Sequence, residues 1–170
     1  MAATYLYKPE KWLLSALLLG ILLPGAPALG GEACEKATIS VQATAATADP
    51  MGAYNGTALI TMGEGEYAGE VVINPVSMRL GEDGAIHMEF QNQFYIPALD
   101  STMDCHDKLV LVPTDDPYLY QINNRAYVQG GTGAFSEAYG RLIAHGTMNV
   151  AQGYVEVEAK GRICDVTELE

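Results

Sequence analysis

Positive charge is scarce in this 170-residue chain: 9 Lys and Arg stand against 21 Asp and Glu, for a net charge of −12. Such a surface repels phosphate backbones and anionic lipid heads, which argues against nucleic acid and, for the mature chain, a membrane as partners. Cysteine is sparse too, with three residues in all, too few for a dense disulfide framework. Helical periodicity is missing beyond the N-terminal region, since no long window keeps apolar residues at i, i+3, i+4 and i+7. The acidic stretches "DSTMDCHD" and "TDDP" lack the spaced oxygen ligands of a calcium loop, and no motif calls for a metal or cofactor.

The one long apolar run, Trp12 to Leu23 ("WLLSALLLGILL"), follows Lys8 and Lys11 and precedes the small-residue stretch "PGAPALG". A basic segment, a short apolar core and a small-x-small site are the layout of a secretory signal. A membrane span needs about 20 apolar residues, and this run is shorter. The reading is therefore a signal peptide over residues 1–30, cut after Gly30, and a single domain over 31–170 in the periplasm or outside the cell. A lipoprotein is disfavoured because "GGEAC" places Glu32 where a small residue is needed near Cys34. Cleavage removes Lys8, Lys11 and Glu10, leaving 7 basic against 20 acidic residues, a net of about −13. "NGT" at Asn55 to Thr57 is a glycosylation acceptor if the source is a eukaryote.

From Lys36 onward, short segments alternate apolar and polar residues and are parted by Gly, Asp, Asn and Pro. In "KATISVQATAA", Ile39, Val41, Ala43 and Ala45 share one face. "TALITM" follows, then a turn at "GEGEYAG", a strand "EVVINPVSMRL" bent at Pro75, and the hairpin turn "GEDG". "AIHMEFQNQFYI" places Ile86, Met88, Phe90, Asn92 and Phe94 on one face and His87, Glu89, Gln91, Gln93 and Tyr95 on the other. An acidic loop "ALDSTMDCHD" leads to "KLVLVP" and "YLYQINNRAYV", and "YGRLIAHGTMNV" and "GYVEVEAKGRIC" close the series. About eight strands without intervening helices predict an all-β fold, an antiparallel sandwich or barrel.

Between the last two hairpins lies "YVQGGTGAFSEAYG", rich in glycine. A phosphate loop would need a helix after it, whereas Leu142, Ala144, Gly146 and Met148 alternate with Arg141, Ile143, His145 and Thr147 as in a strand. The segment reads instead as a barrel corner, with Phe135 plugging the bend. Gly130, Gly131, Thr132, Gly133, Phe135, Ala138 and Gly140 match the pattern G-G-T-G-x-F-x-x-A-x-G. The segment therefore resembles the signature of the allene oxide cyclase-like barrels, the group that includes dirigent proteins, over about the C-terminal third of the chain. The resemblance implies a small closed antiparallel barrel of about eight strands, an apolar cavity, assembly into homo-oligomers, and action as a cyclase or isomerase, or as a guide, by confining a small hydrophobic molecule. The signature is structural, so it carries over no catalytic residue.

In a closed barrel the first and last strands are neighbours, which favours a Cys34–Cys164 disulfide; pairing of Cys105 with either is the alternative. "CHD" at Cys105 to Asp107 reads as a surface or loop thiol rather than a nucleophile with its base, because adjacent strand residues point to opposite faces. The candidate ligand-binding residues are those in the apolar phase: Met88, Phe90, Asn92, Phe94, Tyr118 and Tyr120. Asn92 is the polar one among them and is suited to a ligand carbonyl. His87, Glu89, Arg141, His145, Glu156 and Glu158 fall in the opposite phase and are expected on the wet outer face. The expected function is binding of a small hydrophobic molecule, with turnover by an isomerase or cyclase as one version, a non-catalytic carrier as another, and a solid structural barrel without ligand as the third.

Overall fold

A computed structural model describes residues 33–49 and 51–167; the expected signal peptide lies outside the described residues. The chain forms eight antiparallel strands, β1 (Cys34–Ala45), β2 (Tyr54–Met62), β3 (Gly65–Leu80), β4 (Ile86–Ile96), β5 (Ser101–Pro113), β6 (Leu119–Gly131), β7 (Tyr139–Asn149) and β8 (Tyr154–Cys164). They pair in chain order, and β8 returns to β1, so the sheet is a closed barrel without free first and last edges. Closure uses the alternation: each strand offers one apolar face, and rolling the sheet turns all of these faces onto one axis. The core is the inward phase, including Ile39 and Ile60, Val71, Leu111, Leu142 and Ile163.

The predicted strands are present with two corrections. The turn at "GEGEYAG" shrinks to Gly63 and Glu64, and β3 starts at Gly65. More consequentially, "ALDSTMDCHD" is no loop: after a single 3-10 turn at Pro97–Leu99, β5 begins at Ser101 and runs through Cys105, His106 and Asp107. Its inward residues, Ser101, Met103, Cys105 and Asp107, alternate with Thr102, Asp104 and His106, and the density of acids had masked that period. Cys105 is accordingly a buried free thiol, not a surface one. Pro75 sits at a register shift in the β3–β4 ladder, as a residue without an N–H donor requires.

The two ends of the barrel differ. At one end lie the start of β1, the end of β8 and the β2–β3, β4–β5 and β6–β7 connections, where Met62, Ile96, Met103, Phe135 and Ile163 are fully or almost fully buried. Phe135 sits on a 3-10 turn (Gly133–Phe135) between β6 and β7 and closes that end. The turn is tied back to β5: Ser101 Oγ donates to the Leu99 carbonyl at 2.7 Å and accepts from the Ala134 N–H at 3.0 Å, and Thr132 Oγ1 accepts from the Thr102 N–H at 3.0 Å. Gly131, at φ 154°, lies so close to β5 that a Cβ there would run into the Thr102 carbonyl oxygen. Gly133, at φ 56°, turns the chain where a side chain would strike Ser101. A disulfide joins Cys34 to Cys164 and locks β1 to β8 at the same end.

Candidate interior site

Along β4, β5 and β6 the inward phase is apolar except for Ser101 at the plugged end, whose hydroxyl is hydrogen-bonded, and for one level further in. Asn92 on β4, Asp107 on β5 and Asn124 on β6 are only 8%, 6% and 8% exposed. The ladders pair Asp107 with Phe90 on one side and Ala126 on the other, which makes Asn92 and Asn124 its diagonal neighbours. Asn124 Nδ2 donates to Asp107 Oδ2 at 2.6 Å. Three side-chain oxygens remain without a hydrogen-bond partner: Asn92 Oδ1, Asp107 Oδ1 and Asn124 Oδ1. Buried polar atoms are ordinarily paired, so three orphaned acceptors at one level identify a site that is built and unsatisfied.

These residues line an inner cavity of about 70 Å³, whose walls include Tyr54, Phe90, Phe94, Leu109, Leu142 and Ala144. Among the described residues no Lys, Arg or His lines it. Burial pushes the Asp107 carboxyl up from an ordinary 3.8 to about 6, while the hydrogen bonds from Asn124 and then Asn92, and the charge of His106, pull the other way. Burial also raises Cys105 well above the usual thiol range, and the charges of Asp107 and Asp104 add to that effect. Tyr54 is raised by burial.

Toward the end that Phe135 does not plug, Tyr54, Leu111 and Met148 line both the cavity and an outer vestibule of about 340 Å³. Met78, Ile86 and Met88 form further vestibule wall, and the β7–β8 turn residues Val150 to Gly153 form its rim. The three shared side chains form the boundary between solvent and the polar level.

Of the residues expected from the sequence, Phe90, Asn92 and Phe94 line the cavity. Met88 is buried but stands nearer the mouth, in the vestibule wall. Tyr120 is half-buried and packs against the core without lining the cavity. Tyr118 is corrected: it lies in the turn before β6, 57% exposed, where its N–H donates to Asp116 Oδ1 at 2.9 Å. Its phase with Ile122 was right, but the strand begins one residue after it. His87, Glu89, Arg141 and His145 lie on the outer wall, lining a groove there. Glu89 faces His106 at 3.8 Å and Lys108 at 3.6 Å, and His145 Nδ1 lies 3.2 Å from Asn123 Oδ1. Glu156 and Glu158 are exposed, and Glu158 pairs with Lys160.

Asp107, Asn124 and Cys105 are the site residues that sequence reasoning missed. The signal for Asn124 was present, since it shares its phase with Ile122 and Ala126. Asp107 shares its phase with Met103, Leu109 and Leu111, but the acids around it give its segment the composition of a loop. Comparison with protein families, curated proteins and solved structures finds no match to this chain.

Proposed function

We propose that this chain is an exported barrel that takes a small, mostly apolar molecule in through its vestibule and holds the molecule's polar end on Asn92, Asp107 and Asn124. The observation that carries the reading is the single unsatisfied polar level in an otherwise apolar interior. It also revises the expected polar contact: the free atoms are acceptors, so the ligand presents hydrogen-bond donors rather than a carbonyl. At about 70 Å³ the cavity is far smaller than the roughly 300–1,000 Å³ of drug-sized pockets, so it takes a small molecule or the tip of a longer one lodged in the vestibule. The Cys34–Cys164 disulfide suits an oxidising compartment. Kinship with the allene oxide cyclase-like barrels is consistent with the closed eight-stranded sheet and with the glycine segment at the β6–β7 corner.

A catalytic version rests on Asp107: a carboxyl pushed up to about 6 inside an apolar cavity is suited to moving a proton within a bound substrate, as an isomerase requires. The test is native mass spectrometry of the chain purified from its source, beside a Met148→Trp variant that fills the boundary of the cavity. A small molecule carried by the wild type and lost from the folded variant is expected. Equal content in both, or an empty wild type that takes up nothing from an extract of its source, overturns the interior-site reading. Conversion of the carried molecule separates enzyme from carrier.

A further inference from the structure

The interior contains acceptors without donors to match, and an acid without a base. Asp107 accepts from Asn124, and that bond fixes the Asn124 amide with its oxygen turned away, because a carboxylate can only accept. Asn92, the other diagonal neighbour of Asp107, leaves its oxygen without a partner. The result is three free acceptor oxygens, on three adjacent strands, about one buried carboxylate. Among the cavity-lining residues the only other titratable groups are the Cys105 thiol and the Tyr54 phenol, neither of which is a cation. On the outer face of β5, His106 and Asp104 flank Asp107 without reaching the cavity. A buried carboxylate without a partner is costly, and the partner that removes the cost is a cation.

We propose that the cavity is a receptor for a primary ammonium group on a short apolar chain, whose three N–H donors are taken by Asn92 Oδ1, Asp107 Oδ1 and Asn124 Oδ1. The inference rests on the interior-site reading above and names its ligand class. The number of donors equals the number of orphaned acceptors, whereas an alcohol offers one donor and a carboxylate none. Tyr54, Phe90 and Phe94 supply aromatic wall, the surface that attracts desolvated cations. Aliphatic side chains make up most of the remaining lining, which suits the alkyl chain and not a metal ion, whose six or more oxygen ligands are absent there. The size of the cavity limits the bound portion to a handful of non-hydrogen atoms. The net charge of −12 raises the local concentration of cations around the whole molecule.

The experiment follows the side-chain amide resonances of Asn92 and Asn124 in the purified protein, titrated at about pH 8 with n-propylammonium, n-propanol, propionate and potassium chloride. Expected are saturable shifts with n-propylammonium, affinity at least about tenfold weaker for n-propanol, and no saturation with propionate or potassium. Asp107→Asn, nearly isosteric, should cut n-propylammonium affinity at least about tenfold and shrink its lead over n-propanol. Asn124→Leu keeps the charge and removes one acceptor; it should weaken the amine by a few-fold and preserve its lead over the alcohol. n-Propanol binding as tightly as the amine overturns the ammonium inference and leaves the interior site standing. Potassium saturating the same resonances overturns it in favour of an inorganic cation. No saturation by any probe in a folded protein overturns it as well, while a molecule carried from the source would still support the broader reading.

Discussion

Asp107 is held proton-bearing to about pH 6 in the folded chain, whereas an unfolded chain releases that proton near the ordinary value of 3.8. The native state binds the extra proton between those values, so the contribution of Asp107 to stability is complete below about pH 4 and is lost as pH rises to about 6. The interval corresponds to roughly 3 kcal/mol. Asp107→Asn should therefore raise stability at pH 7, by up to roughly 3 kcal/mol, and remove that part of the pH dependence. Urea melts of both proteins at pH 4 and pH 7 check this; an unchanged difference between the two pH values would assign the titration elsewhere. Cys105, raised by burial and by two neighbouring carboxylates, should resist iodoacetamide in the native protein and react once per chain after unfolding without reductant, as read by mass. At this scale the sequence was legible where a polar residue stood between large apolar ones, as Asn92 does between Phe90 and Phe94. It was not legible at Asp107, because an acid among Asp104, His106 and Lys108 reads as solvated until the strand phase is known.

Most elements were legible because period-two alternation encodes which face is wet; the start of β3, which reads as a turn, and the first half of β5 were not. β5 escaped because its inward residues there are Ser101, Met103, Cys105 and Asp107, a set without a large branched side chain to announce a buried face. The β6–β7 corner was legible in its glycines, whose backbone freedom and lack of Cβ the geometry uses directly. Gly131→Ala places a methyl group against the Thr102 carbonyl and should cost at least roughly 2 kcal/mol, detached β5–β6 pairing appearing as faster amide exchange around Met103. Wild-type stability in that variant would show that the corner is looser than the close approach of Gly131 to β5 requires. Phe135 depends on the same corner, since the turn held by Ser101 and Thr132 carries it into the plugged end.

The whole barrel is held shut by the β1–β8 ladder and by the Cys34–Cys164 disulfide, which spans 130 residues of chain. Closing so long a loop restricts the unfolded ensemble strongly, so replacing both cysteines with alanine should lower stability by about 4 kcal/mol. Denaturant melts of oxidised, reduced and double-alanine protein test this, and equal midpoints for all three would show that the ladder alone secures closure. The sequence by itself determined the fold class, the approximate number of strands, the glycine corner, and the outward placement of His87, Glu89, Arg141 and His145, because each follows from local alternation or from backbone freedom. It favoured the right disulfide only through topology. Tertiary structure alone decided which strand ends meet, that one end is plugged and the other opens on a vestibule, and that Asn92, Asp107 and Asn124 stand at one level. Their meeting depends on the stagger between three strands, and stagger is set by closing the sheet on itself rather than by any residue's immediate neighbours in the chain.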